Sequence, residues 1–387
     1  MTSMTPTTVS VTGGVDTHGQ TNHVAALDQL GRQLGDQEFP TTPGGYRALL
    51  RWLRGHGHLG LVGVEGTGAY GAALARYLRA EGVSVVEVDR PDRKARRARG
   101  KSDPLDAYAA ARAALAGTAT GTPKSRDGRV EAIRTLRVAR SGAVKARSQA
   151  INQLKSLLIT APAALREQLR HLSTTTLLAT CARLRPTEEF TDPEQATKAA
   201  LRRLARRHQH LSEEIADADA ALTTLVTVAA PQLLALAGVG VEVAGQLLVS
   251  AGDNPERLHS ESAFAHLCGV APVPASSGRT HRHRLNRGGD RAANNALYIV
   301  VLGRLLLRPA HPRLRRATHP ARTVQTRNHP LPHWMSMGGQ VRLACSSGTA
   351  RDGLDVSPPD GLFELVALVV AGRRDRRERA APVRAEQ

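Results

Sequence analysis

The chain predicts an α/β domain on a mixed central sheet, followed by a largely helical second half. Three observations carry this. Short alternating strands open the sequence, the period turns helical after Pro43, and long amphipathic stretches run beyond residue 128. Its 387 residues suggest two or three domains with proper cores.

The first element is VSVTGGVD from Val9, followed by HVAALD and a strand around Gln33 to Phe39, with Gly and polar turns between them. A meander follows from such short connections. After Thr42-Pro43-Gly44, Tyr46, Leu49, Leu50 and Leu53 recur at helical spacing. An apolar strand from Leu59 to Val64, a helix from about Ala69 to Ala80 and a strand from Val83 to Val88 come next. Three strands followed by alternating helix and strand is the order of an RNase H-like domain.

Between Gly128 and Leu158 a basic amphipathic helix carries Val130, Ile133, Leu136, Val144, Ile151, Leu154 and Leu158 on one side. After Pro193 the residues Leu201, Leu204, His208, Leu211, Ile215, Ala218, Leu222 and Leu225 alternate by three and four, the seam of a coiled coil or a packed helical hairpin. In LLALAGVGVEVAGQLLVS, Gly238 and Gly240 lie between two helical segments. That is the layout of a helix-hairpin-helix, whose turn can hold a DNA phosphate, and equally of an ordinary helical turn. A Pro-punctuated basic loop from Gly269 to Arg287 precedes a helix from about Asp290 to Leu307.

The net charge of +19, from 53 basic against 34 acidic residues, points to a polyanionic partner. Aromatic residues are only 3% of the chain, which argues against a base-stacking platform and for contact with backbone phosphates. The block from Arg90 to Lys101 holds Arg93, Lys94, Arg96, Arg97, Arg99 and Lys101, and reads as a solvated segment or a phosphate-binding one. Cys181, Cys268 and Cys345 lie far apart without a Cys-x-x-Cys pair, which disfavours structural zinc and a disulfide scaffold. No leader or membrane-length apolar run is visible, so a soluble, cytoplasmic protein is expected.

Four acids stand where chemistry could occur: Asp16 ending the first strand, Glu65 ending the fourth, and Asp103 and Asp106 in KSDPLDA. In an RNase H-like sheet the first and fourth strands are neighbours, so Asp16 and Glu65 converge. Asp103 and Asp106 share a helix face and could close the site. Clustered carboxylates repel unless cations neutralise them, and oxygen donors suit Mg²⁺ or Mn²⁺, two of which could hold a phosphodiester for in-line displacement. Taken alone, Asp103 before Pro104 with Asp106 three on also reads as an N-cap, first-turn proline and N3 acid. Ser276 and Ser277, beside Arg279, His281, Arg282, His283 and Arg284, could supply a nucleophile among charge-stabilising arginines, although serine is commonplace in such loops. The two histidines fit phosphate contact better than metal ligation.

Taken together, GVDTH, VGVEGTGAYG, VDRPDRKARRARGKSDPLDA, LAGVGVEVAGQLL and FAHLCGVAPVPASSGRTHRHRLNRGGDRAANNALY resemble the DEDD transposases of the insertion sequence family 110, the bridge-RNA-guided recombinases. The resemblance runs from about Val11 to Leu307. It implies a RuvC-like DEDD domain over 9–120, a basic helical and coiled-coil connector over 128–230, and a transposase domain over 231–307 with a serine loop and helix-hairpin-helix-like motif. Asp16, Glu65, Asp103 and Asp106 match the metal ligands. Ser277 matches the nucleophile, with Ser276 the alignment alternative. Also implied are a covalent serine link to a DNA end, donor and target DNA paired with a structured guide RNA, and a bacterial homo-oligomer in which one subunit's serine joins another's carboxylates. From Arg308 the text turns Pro-, Arg- and His-rich without helical period, so 308–387 reads as a divergent, frameshifted or disordered tail and leaves an inactive copy as an alternative.

Other readings remain beside this one. An actin-like or sugar-kinase ATPase shares the topology, and Asp16-Thr17 with Gly66-Thr67-Gly68 could pass for phosphate loops, but neither the charge nor Asp103 and Asp106 would be required. A RuvC-like junction resolvase needs no serine. A non-catalytic nucleic-acid-binding remnant would keep the charge without the reaction.

Overall fold

The computed structural model describes residues 10–88, 102–188, 190–254, 257–258, 260–278, 282–284 and 286–307. Among the described residues the chain divides into two compact units, one built from those up to 128 with 250–267, the other from 129–249 with 268–307. The 308–387 tail lies outside the described residues.

In the first unit β1 (Ser10–Thr17), β2 (Thr21–Asp28) and β3 (Gln33–Pro40) form the expected antiparallel meander. Helix α1 (Pro43–Gly55) begins at Thr42, whose hydroxyl accepts from the Gly45 N–H, with Pro43 in its first turn. Strand β4 (His58–Glu65) returns parallel to β1, α2 (Ala72–Ala80) crosses over, and β5 (Ser84–Val88) pairs parallel to β4. The sheet order β3-β2-β1-β4-β5 and the covering helices make this an RNase H-like domain.

Strand alternation assigns the two faces. Val11, Val15, Val62 and Val64 point into one core with Leu49, Leu53, Leu74 and Leu78 of α1 and α2. On the opposite face α3 (Asp103–Leu115) lays Ala107, Tyr108 and Ala111 against Ala25 and Leu27. Segment 250–267 joins this unit through the buried Asn254, whose amide N–H donates to Pro123 O and whose carbonyl accepts from Ser125 N. Within it, α10 (Glu261–Leu267) carries the fully buried Phe264.

The second unit is dominated by α4 (Arg129–Ile159) and α7 (Pro193–Ala229), which pack on one another. They run antiparallel: Arg140 of α4 meets Asp219 of α7, whereas Leu154 and Leu158 cluster with Leu201 and Ala205. The α7 seam follows the expected spacing, with Leu201, Ile215 and Leu222 buried and Leu204, His208, Leu211, Ala218 and Leu225 half-buried. On α4 Leu136 and Val144 are only half-buried, and Ala143 and Ala150 take the buried positions, because small side chains let the helices approach. Helices α5 (Ala163–Leu169) and α6 (Thr174–Ala182) close one end through Leu165, Leu169, Leu177 and Cys181. Beyond come the short α8 (Pro231–Leu234), α9 (Val241–Ala251), the two-residue strands β6 (Val273–Pro274) and β7 (His283–Arg284), and α11 (Arg291–Leu307).

Candidate active site and serine hairpin

A repeated tripeptide builds the acidic site. Strand β1 runs Gly14-Val15-Asp16 into its last residue, Thr17, β4 ends Gly63-Val64-Glu65, and parallel pairing sets Gly14 beside Gly63 and Val15 beside Val64. The next residue along each strand is the acid. Alternation turns both valines into the α1/α2 core and both acids toward α3. The two glycines are there because α3 leaves no room for a side chain. A Cβ at Gly14 would sit 2.1 Å from Ala111 N and 2.3 Å from Ala107 O, and one at Gly63 would sit 2.6 Å from Ala110 O. This close approach brings the first turn of α3, with Asp103 and Asp106, to the strand ends.

The carboxylates differ in exposure. Asp16 and Asp106 are buried, Glu65 is half-buried, and the Asp103 side chain is 46% exposed at the mouth. Ser102, not Asp103, takes the N-cap position of α3, and no side-chain bond caps that end. The Asp103 carboxylate is directed instead at His18, Oδ1 to Nε2 at 3.4 Å, and the same nitrogen lies 3.2 Å from Asp16 Oδ2. His18 is the site residue that sequence reasoning missed. Its signal was present in GVDTH, two residues beyond Asp16 and therefore on the same side of the strand end.

Burial pushes the Asp16 carboxyl above its usual range; His18 opposes this, and the charges of Asp106 and Asp103 add to it. Asp16 Oδ2 is buried and, apart from the ion-pair approach of His18 Nε2, has no hydrogen-bond partner among the described residues. Asp16, His18 and Asp103 each present one donor atom within 4.8 Å of the others. A buried orphan oxygen among crowded carboxylates fits a hard divalent cation. The imidazole nitrogen widens the choice from Mg²⁺ toward Mn²⁺.

The strand ends are tied down around the acids. Thr17 Oγ1 donates to Glu65 O at 2.9 Å, the buried Thr67 donates to Glu87 on β5, and Arg126 Nη2 donates to Gly68 O at 2.6 Å. The Gly66-Thr67-Gly68 loop is thus pinned by side chains at both Thr67 and Gly68.

In the second unit, β6 and β7 pair Val273 with Arg284 and Pro274 with His283, so the serine loop is a hairpin. Ser276 Oγ accepts from Arg282 N at 3.2 Å and donates to Arg282 O at 3.4 Å, while Ser277 is exposed near the tip. Arg282, His283 and Arg284 are exposed on the returning strand; Arg279 and His281 lie outside the described residues. An open depression below them is lined by Val273, Arg284, Asn286, Arg287 and Gly288. Gly238 has φ +80° and faces Val300 O and Arg304 of α11, so its residue type serves the turn and close packing. Gly240, before α9, opens to free space. Arg93, Lys94, Arg96, Arg97, Arg99 and Lys101 fall outside the described residues.

An RNase H-like domain with acids at the ends of its first and fourth strands and on the helix behind them has the architecture of the DEDD transposases. Two family models match: a DEDD transposase model over residues 13–161, and one described as "Transposase IS116/IS110/IS902 family" over 230–328. The chain belongs to the IS110 family of insertion-sequence transposases, DNA-acting recombination enzymes. The ATPase reading falls with that result. The second match extends past Leu307 into the first part of the segment that the sequence reads as divergent. No curated protein matches the chain.

Proposed function

We propose that the protein cuts and rejoins DNA with divalent metal ions at Asp16, Glu65, Asp103 and Asp106, and with Ser277 as nucleophile. The observation that carries the metal reading is the Gly-Val-acid register of β1 and β4 under the first turn of α3. Bound Mg²⁺ or Mn²⁺ would polarise the phosphodiester and stabilise the oxygens entering and leaving it. The chain's own part is to hold the carboxylates in place and to keep His18 between Asp16 and Asp103.

Ser277 is favoured over Ser276 because the Ser276 hydroxyl is engaged with both backbone groups of Arg282. In the covalent step Ser277 Oγ bonds to phosphorus as the bond to a sugar oxygen breaks; the serine proton leaves to solvent and the sugar oxygen gains one. The phosphoserine ester keeps the energy of the broken bond, so the reverse attack by a sugar hydroxyl rejoins DNA without another energy source. Arg282 and Arg284, with Arg279, are suited to the developing negative charge.

In this reading 9–120 is the metal domain, 128–230 the coiled-coil connector and 231–307 the serine-bearing domain. The partners are donor and target DNA, a structured guide RNA and further copies of the chain, in the bacterial cytoplasm. No described helix is long and apolar enough to cross a membrane.

The test incubates the full chain with RNA transcribed from the flanking DNA, labelled donor and target duplexes, and Mg²⁺. A denaturation-resistant protein–DNA adduct should form, vanish in Ser277→Ala and persist in Ser276→Ala. Loss only in Ser276→Ala moves the nucleophile by one residue. Recombination unaffected in both refutes covalent serine chemistry and leaves the resolvase-like reading. RNA and DNA binding without cleavage, with all four carboxylates present, leaves the non-catalytic remnant.

A further inference from the structure

We infer that the end of the helical pair closed by α5 and α6 is a second nucleic-acid surface, where Arg183, Arg185, Arg202, Arg203, Arg206 and Arg207 grip backbone phosphates. The starting observation is charge segregation along α7. From Lys198 to His210 every ionisable residue is basic or histidine, and from Glu213 to Asp219 all four are acidic. A helix face that is merely solvated interleaves its charges so that neighbours four apart attract. Here Arg202 precedes Arg206 and Arg203 precedes Arg207 at that spacing, so each pair repels.

The acidic half has a use inside the fold, since Asp219 pairs with Arg140 of α4. In the basic half only Lys198, at its start, has an ion-pair partner among the described residues. Arg183, Arg185, Arg202, Arg203 and Arg207 form no ion pair among the described residues, whereas the nearby Lys198, Arg166 and Arg170 are paired with Glu194 and Glu167. Arg203, Arg207, Arg183 and Arg185 are exposed, and Arg202 Nε is a buried donor without a hydrogen-bond partner among the described residues.

Packing brings the two groups together. Cys181 and Ala182 of α6 bury against Leu201 and Ala205 of α7, and Arg206 Nε donates to Ala182 O at 3.3 Å. The arginines that follow α6 therefore stand beside Arg202 and Arg206, with Arg203 and Arg207 one step further round the helix. Repelling guanidinium groups at one spot are relieved by a polyanion, and their planar forks match phosphate oxygens two at a time. All six side chains named for the patch are arginines, whose forks address phosphate oxygens, so it suits a duplex backbone better than unstacked bases.

The inference rests on the reading of the chain as a nucleic-acid enzyme but not on its catalytic residues, because the test measures binding in EDTA. Full-length protein is titrated against a fluorescein-labelled DNA duplex, and against an RNA duplex of the same sequence, as KCl rises from about 50 to 200 mM. With Arg203→Gln/Arg207→Gln the slope of log affinity against log salt should fall by about 1.8 on the duplex that binds here. Arg203→Lys/Arg207→Lys should keep the wild-type slope. Arg47→Gln/Arg51→Gln, an exposed pair at the same spacing on α1, removes equal charge and should leave the slope unchanged. A drop on DNA only, on RNA only or on both identifies the duplex. Wild-type slopes on both duplexes, or an equal drop in the α1 pair, would overturn the inference.

Discussion

Gly14→Ala tests whether close packing of α3 sets the acidic site. The added methyl would meet Ala111 N at 2.1 Å and Ala107 O at 2.3 Å, against 3.4 Å for the start of ordinary contact. Both obstacles are helix backbone, which cannot rotate aside as a side chain would. Helix α3 must therefore lift by about 1 Å, and overpacking of this kind costs about 1–3 kcal/mol. Its first turn carries Asp103 and Asp106 with it, and a displacement of about 1 Å at a reacting centre lowers rate by about 100-fold. Single-turnover DNA cleavage and thermal unfolding should be measured side by side with Gly60→Ala, where the nearest atom to a Cβ is Ser10 Oγ at 3.9 Å. Wild-type cleavage and melting temperature in Gly14→Ala would show that α3 does not set the site.

Other consequences follow from the same geometry. Asp16→Asn removes a buried carboxylate crowded by Asp103 and Asp106, so it should abolish metal-dependent cleavage while raising the metal-free melting temperature. Added Mn²⁺ should stabilise the wild type and not the variant in a thermal-shift titration; equal stabilisation of both would remove Asp16 from the metal site. Asn254→Ala leaves Ser125 N and Pro123 O without their partner inside the first unit, and denaturant unfolding should register a loss of about 1–3 kcal/mol. Burial pushes the Cys181 thiol up to about 11 and the Cys268 thiol up to about 12. At pH 8 their alkylation, read by peptide mass, should be slower than that of a free cysteine peptide by about 100-fold or more. Equal rates would mean that these cores open readily.

Local pattern was enough to define the elements. The meander, the α1 stripe of Tyr46, Leu49, Leu50 and Leu53, and the heptad spacing of α7 are periodicities of neighbouring residues; the α1 stripe is buried throughout, and the α7 seam is buried or half-buried along its length. The helix expected from Ala69 starts only at Ala72, because Gly66 O accepts from both Ala69 N and Gly71 N in a turn after β4. The types and order of the four acids were also legible. What their letters could not convey was contact across long stretches of chain. Parallel pairing of Gly14 with Gly63 and the descent of α3 onto those glycines are tertiary facts, and they determine that Asp16, Glu65, Asp103 and Asp106 face one side. The same packing redirected Asp103 from a capping role toward His18 and made Ser276 a hairpin tie, since a polar side chain bonds to whatever the fold brings within reach. Sequence by itself determined the strands, the helices and the chemistry on offer. Only the tertiary structure decided which groups meet, because strand register and helix approach are settled by residues distant along the chain.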